Sequence, residues 1–247
     1  MSWGIPVPDR VPAGGLGWGR ALLSGSGVPA DALGNLGDRY YDTAAGRWYL
    51  KRWVANFSGP DSVSVAGIPI IGANNWTFEA LIWLDPSTTY WSTIFSGNNV
   101  SAGGATMLRA QASNRITTDY YGYQGAFVDI GQKSAWYKVI ASGTYDGATL
   151  ADSLSIVGVG TNSTSVARSD RLPGNGLYLG LPSGGTQFVG RMCNVKASGS
   201  GYVLHLPIDD GAGTAVRDVS GGNNPGTVTD GTPTTFWLQS WVPMDLL

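Results

Sequence analysis

Four groups of residues in this sequence could carry chemistry. The only histidine, His205, stands four residues before a carboxylate pair, Asp209 and Asp210, with Asp218 further on. The only glutamate, Glu79, sits inside the apolar run WTFEALIWL. Asn98 and Asn99 follow the short segment TIFSG, and aromatic side chains gather in TTYWST and TDYYGYQGAF. A His/Asp neighbourhood suits nucleophilic or acid–base catalysis, and a pair of carboxyls suits glycoside hydrolysis. Oxygen donors from loops suit Ca²⁺. Aromatic rings flanked by amides and carboxylates suit stacking on sugar C–H faces.

The elements that must position these residues decide among the chemistries. In YVLHLPI, Tyr202, Leu204 and Leu206 share one face of a strand and Val203, His205 and Pro207 the other, so His205 reads as a bystander on a strand. DDGAG after it is turn chemistry, with Asp209, Asp210 and Gly211 bonding side chain to backbone. Glu79 has no second glutamate to pair with and reads as a hydrogen-bond acceptor at a sheet surface. Asn98 and Asn99 are weak Ca²⁺ candidates, two neutral amides without a carboxylate, so neither a metal nor another cofactor is expected. That leaves glycan recognition, with Tyr90, Trp91, Asp119, Tyr121, Tyr123 and Gln124 as the candidate ligand-binding residues.

Composition sets the class of fold. The 247 residues include 37 Gly, only 13 % charged residues and 11 % aromatics, a mixture of short strands and Gly-rich turns. WTFEALIWL alternates Trp76, Phe78, Ala80, Ile82 and Leu84 against Thr77, Glu79, Leu81 and Trp83, and strand after strand follows it, each bounded by Gly, Asn, Asp, Ser or Pro. The reading is all-β, two packed antiparallel sheets. A formal net charge of −2 with no basic run argues against nucleic acid, anionic membrane or other polyanions as partners, and no apolar run is long enough to span a bilayer. Single Cys193 excludes an internal disulfide framework.

Residues 1–36 differ from the rest, being dense in Gly and Pro with Trp3, Trp18, Leu22 and Leu23 scattered without period. They read as an extended arm whose aromatic and leucine side chains attach to another protein. Residues 37–53 read as a hairpin, DRYYD and RWYLKRW around TAAG, with Gly46 free to take positive φ. Residues 54–247 form the main β-domain.

Taken together, VANFSGPDSVSV, WTFEALIWLDP, WYKVIASGTYDG and FVGRMCNVK resemble, in order, the laminin-G and pentraxin-like jelly roll of concanavalin A type. The stretch YVLHLPIDDGAGTAVRDVSGGNNPGT is similar to a phrase that opens many such domains; here it closes the domain, which implies a circularly rearranged jelly roll in which this stretch lies beside the strand following VANFSG. LGNLGDRYYDTAAGRWYLKRW resembles a segment of bacteriophage tail fibres and other virion appendages. These resemblances imply a non-enzymatic virion subunit, a fibre, spike or decoration protein made in the host cytoplasm without a signal peptide. It would bind other virion proteins through its arm and host-surface glycans through its jelly roll. A homo-oligomer, with a trimer favoured, is expected from the resemblance and from the apolar second face bearing Leu81 and Trp83. The rivals are a purely structural capsid or tail protein, and a carbohydrate-active enzyme whose acidic pair comes from different strands.

Overall fold

The structure is a computed structural model describing residues 20–247 apart from 59, 67, 69–74, 89–91, 98–105, 112, 121–122, 168–175, 181–186, 200 and 230–232. It divides into two units, one of residues up to Arg52 with Gln239–Asp245, the other running from Trp53 to Leu238. The strands in chain order begin with β1 (Leu22–Gly25), β2 (Arg39–Asp42) and β3 (Arg47–Phe57), the last contributing to both units. Then come β4 (Ser62–Ala66), β5 (Asn75–Leu84), β6 (Ser92–Ser96), β7 (Thr106–Gln111), β8 (Arg115–Tyr120) and β9 (Tyr123–Asp129). The long strands β10 (Trp136–Tyr145), β11 (Thr149–Ile156) and β12 (Gly160–Ala167) follow, with β13 (Gly176–Leu179) and β14 (Gly190–Gly199). β15 (Tyr202–Leu206), β16 (Ala215–Val216), β17 (Gly226–Thr229), one helical turn at Pro233–Phe236 and β18 (Trp237–Pro243) complete the chain.

In the first unit the expected hairpin forms. Tyr40 faces Tyr49 across β2 and β3, and Gly46 closes the turn at φ 65°. Asp42 Oδ1 accepts from the Ala44 and Ala45 N–H groups at 2.9 and 3.2 Å, which ties the turn to the strand. From Arg20 onward, however, the stretch read as an extended arm is folded. β1 runs parallel to β2, and Leu23 packs on a cluster of Tyr40, Tyr49 and Trp241. The buried Lys51 ammonium donates to the Asp31, Leu33 and Gly34 carbonyls at 2.6, 2.6 and 3.0 Å. An ammonium has three donors, so these loop carbonyls match its hydrogen-bonding capacity. Leu22 remains 53 % exposed, whereas Trp3 and Trp18 lie outside the described residues.

The second unit is a two-sheet antiparallel sandwich. One sheet has the order β3-β14-β5-β10-β11-β12, with β15 sharing with β3 the same edge of β14; the other has the order β16-β17-β4-β13-β6-β7-β8-β9. The alternation of β5 holds throughout, since Trp76, Phe78, Ala80, Ile82 and Leu84 are all buried between the sheets. Phe78 stacks on Phe95 of the opposite sheet with centroids 4.2 Å apart, and Trp76 meets the same ring edge-on at 5.9 Å. Gly143, the neighbour of Trp76 on β10, leaves room for the indole, because a side chain there would collide with it.

The other face of β5 corrects one expectation. Leu81 is fully buried within the single chain, and the Arg191 guanidinium lies over the Trp83 ring at 4.6 Å. Leu81 therefore offers no argument for a subunit interface, and Trp83 remains partly exposed.

The stretch 201–227 also divides in an unexpected way. β15 pairs with β14 as a hairpin in the first sheet, and the chain then crosses to place β17 beside β4 in the second. β4 is the strand after VANFSG, so the expected pairing belongs to the end of the stretch and not to YVLHL.

Replacing Phe78 by Ala is expected to cost about 3–5 kcal/mol in urea unfolding, because it opens a cavity between the sheets. Thr77→Ala, one residue away on the outer face, is expected to cost less than about 1 kcal/mol. Equal costs would contradict the assigned register.

Candidate functional site

The outer face of the first sheet is built from the alternate positions of its strands. Antiparallel pairing places Ser142 of β10 opposite Thr77 of β5 and Ser153 of β11, and Ser153 opposite Ser163 of β12. Thr77 in turn stands opposite Ser198 of β14, their hydroxyls 2.6 Å apart. The next row outward is Asn75, Thr144, Ala151 and Ser165. Such small side chains on a pleated surface leave a shallow depression of about 490 Å³ floored by Ser142, Ser153 and Ser163. A second depression of about 300 Å³ adjoins it through Thr144 and Ala151 and ends at Asn75, Tyr145 and Asp146. Asp146 caps its turn by accepting from the Ala148 and Thr149 N–H groups at 2.9 and 2.7 Å, which holds its carboxyl below the usual carboxylate range.

Beside the hydroxyl rows lies a charged one. Lys138 of β10 and Lys196 of β14 each approach Glu79 Oε1 at 3.2 Å. Burial pushes the Glu79 carboxyl up, but the two ammoniums outweigh it and hold the pKa below the ordinary glutamate value. A carboxyl kept ionised suits a counter-ion, not a general acid. Lys196 reaches this face because of a bulge. Met192 and Val195 are both buried on the inner face although three residues apart, and the extra residue, Asn194, takes φ 52°. His205 stabilises the bulge, its Nε2 lying 2.9 Å from Asn194 Oδ1, while the Asn194 N–H donates to the Pro207 carbonyl at 3.0 Å. Without the added residue Lys196 would point into the core.

The carboxylates near His205 are occupied by structure. Asp218 Oδ1 accepts from the His205 and Ser220 N–H groups at 3.1 and 2.9 Å, and Oδ2 from Asn224 N–H at 2.9 Å. Partial burial opposes ionisation, yet these three donors hold its pKa below the usual range. Asp209 pairs with Arg217 at 2.8 Å, and Asp210 accepts from Arg217 N–H at 3.3 Å. Among the described residues no three His, Cys, Asp or Glu side chains gather to hold a metal ion. Asn98 and Asn99 lie outside the described residues.

The aromatic candidates fare differently from one another. Tyr90, Trp91 and Tyr121 lie outside the described residues, and of Tyr123 only the backbone is described, at the start of β9. Gln124 is exposed, but Asp119 is 4 % exposed and pairs with Arg109 at 3.2 Å. Its carboxylate is thus turned to a structural ion pair and not to solvent.

Sequence reasoning also passed over Asp152. It points inward from β11, where its carboxylate accepts from the Thr118 hydroxyl and from Ala126 N–H, the latter at 2.9 Å. Gly125 and Ala126 together oppose Thr118 across an irregularity in the β8–β9 ladder. The missing side chain at Gly125 leaves room for the carboxylate, because a Cβ there would collide with both Thr118 Oγ1 and Asp152. A lone acidic position in an alternating strand was the available signal, since ADSLSI puts Asp152 in phase with Leu154 and Ile156.

Comparisons with known proteins agree with this architecture. No protein-family model matches the sequence, and no curated protein does. Among solved structures, a Bacteroides ovatus protein provisionally named a carbohydrate binding protein superposes with a TM-score of 0.52 at 18 % identity, over 86 % of this chain and 72 % of that one. Domains LG4-5 of the mouse laminin alpha1 chain give 0.49 at 10 % identity, over 78 % and 46 %. The heptameric pentraxin of Limulus polyphemus gives 0.42 at 12 %, over 59 % and 75 %. At 18 % identity the likeness to the Bacteroides ovatus protein bears on the fold alone, an all-β two-sheet jelly roll.

Burial raises the Asp152 pKa, against the pull of the Thr118 and Ala126 donors. A carboxyl that holds its proton more tightly folded than unfolded contributes stability below the unfolded range of about 4 and loses it as pH rises through the raised value. Asp152→Asn retains an acceptor for Ala126 N–H and cannot ionise. Its urea midpoint is expected to match or exceed the parent's at pH 7, with the parent gaining on it as the pH is lowered toward 4. A parent that loses ground on acidification would contradict this.

Proposed function

We propose that this protein is a non-enzymatic glycan-binding subunit of a virion appendage, and that sugars bind the outer face of the first sheet. The observation that carries the binding reading is the paired depression floored by Ser142, Ser153 and Ser163 and bounded by Asn75 and Tyr145. Hydroxyls and an amide on the sheet offer both donors and acceptors to sugar hydroxyls. Support for the virion context is the likeness of LGNLGDRYYDTAAGRWYLKRW to appendage segments together with the Gly/Pro-rich stretch before it. Display of several copies on one particle converts weak single-site binding into avidity.

The full-length protein probed on a glycan array and on host cells tests the reading, with Ser153→Trp as the variant that fills the depression. Ser153→Trp is expected to weaken glycan binding at least about tenfold with little change in the unfolding midpoint, since the position faces outward. Undiminished binding by this variant, with loss on Gln124→Ala, would move the site to the β8–β9 hairpin. Absence of any glycan binding alongside tight association with purified capsids or tails would instead select a purely structural subunit.

A further inference from the structure

We infer that the glycan bound on this face is an acidic one, with its carboxylate or sulfate directed toward Lys138 and Lys196 and its neutral sugars over Ser142 and Ser153. The inference rests on the proposed site and names its ligand class. The whole chain carries a net charge of −2, and its sequence has no basic run. On this one face, nevertheless, the strand pairing collects Lys138, Lys196 and Arg191, which are distant in sequence, and among the described residues the paired outward positions there supply one carboxylate, Glu79. Two ammoniums share that single counter-ion through one oxygen, Oε1. Each ammonium has three donors and gives one to Glu79, so both retain the capacity to meet an arriving anion.

The Lys196 side chain is 44 % exposed, and its row is one step of two residues, about 7 Å, from the row of Thr77 and Ser142. A ligand touching both rows must be longer than one sugar ring. The far end of the groove has the opposite character, with the ionised Asp146 beside Asn75. The field along the groove therefore orients a ligand with one anionic end, and the Asn194 bulge is the device that turns Lys196 outward to create it.

The test measures binding of the full-length protein to a uronate-containing polysaccharide and its carboxyl-reduced form, and to a sulfated polysaccharide and its desulfated form. The parent is expected to prefer at least one charged form about tenfold over its uncharged counterpart, with the gap narrowing as salt is raised. Lys196→Gln should erase most of that preference. Glu79→Gln, which removes the competing carboxylate, should strengthen binding of the charged form. Equal affinity for charged and uncharged forms overturns the acidic ligand while leaving the glycan site standing, and a preference that survives Lys196→Gln together with Lys138→Gln overturns the placement of the anion at these lysines. Failure to bind any of the four, with no hits on the array, overturns both. Which of the two charged polymers is preferred distinguishes carboxylate from sulfate.

Discussion

The pairing of β5 with β10 on one side and β14 on the other is the constraint on which the second unit depends. Side chains alternate with a period of two, so one choice of register fixes both faces at once. The register that puts Phe78 against Phe95 in the core also puts Glu79 opposite Lys196 and on the diagonal to Lys138, and Thr77 between Ser142 and Ser198. A slip of one residue would expose the aromatic row and bury the charged one, at a cost of many kcal/mol from lost apolar burial and desolvated charge. The hydrophobic core thus supplies the energy that aims the polar face.

Much of this was legible in the sequence. The alternation of WTFEALIWL gave the inner face of β5 residue by residue, TAAG gave the hairpin turn, and DDGAG was read as a turn whose carboxylates bond to backbone, as Asp210 does while Asp209 meets the Arg217 guanidinium. His205, read as a bystander on its strand, has a local task in bracing the Asn194 bulge. The reason these succeeded is that strand period and turn chemistry are local properties.

What was not legible depends on long-range pairing. Glu79 gave no hint of its lysines, since Lys138 and Lys196 lie 59 and 117 positions away along the chain and meet it only through strand register. The bulge that turns Lys196 outward costs one residue and leaves no periodic signature longer than a few positions. The stretch 201–227 looked like one unit, yet its first strand completes one sheet and its last the other. Residues 20–36 looked coreless because their anchors, Lys51 and Trp241, come from elsewhere in the sequence. The row of serines that floors the depression carries no signal along the chain, because its members come from three strands.

The central claim is that ligand contacts fall on the outer face of β10, β11 and β12 and its cationic margin. The most direct measurement is amide shift perturbation by NMR on the intact protein titrated with a bound oligosaccharide. The account predicts that the largest changes cluster at Ser142, Thr144, Ser153 and Ser163, extending to Glu79 and Lys196. Changes confined to residues 120–124 and 90–91, with the β10–β12 face silent, would contradict it.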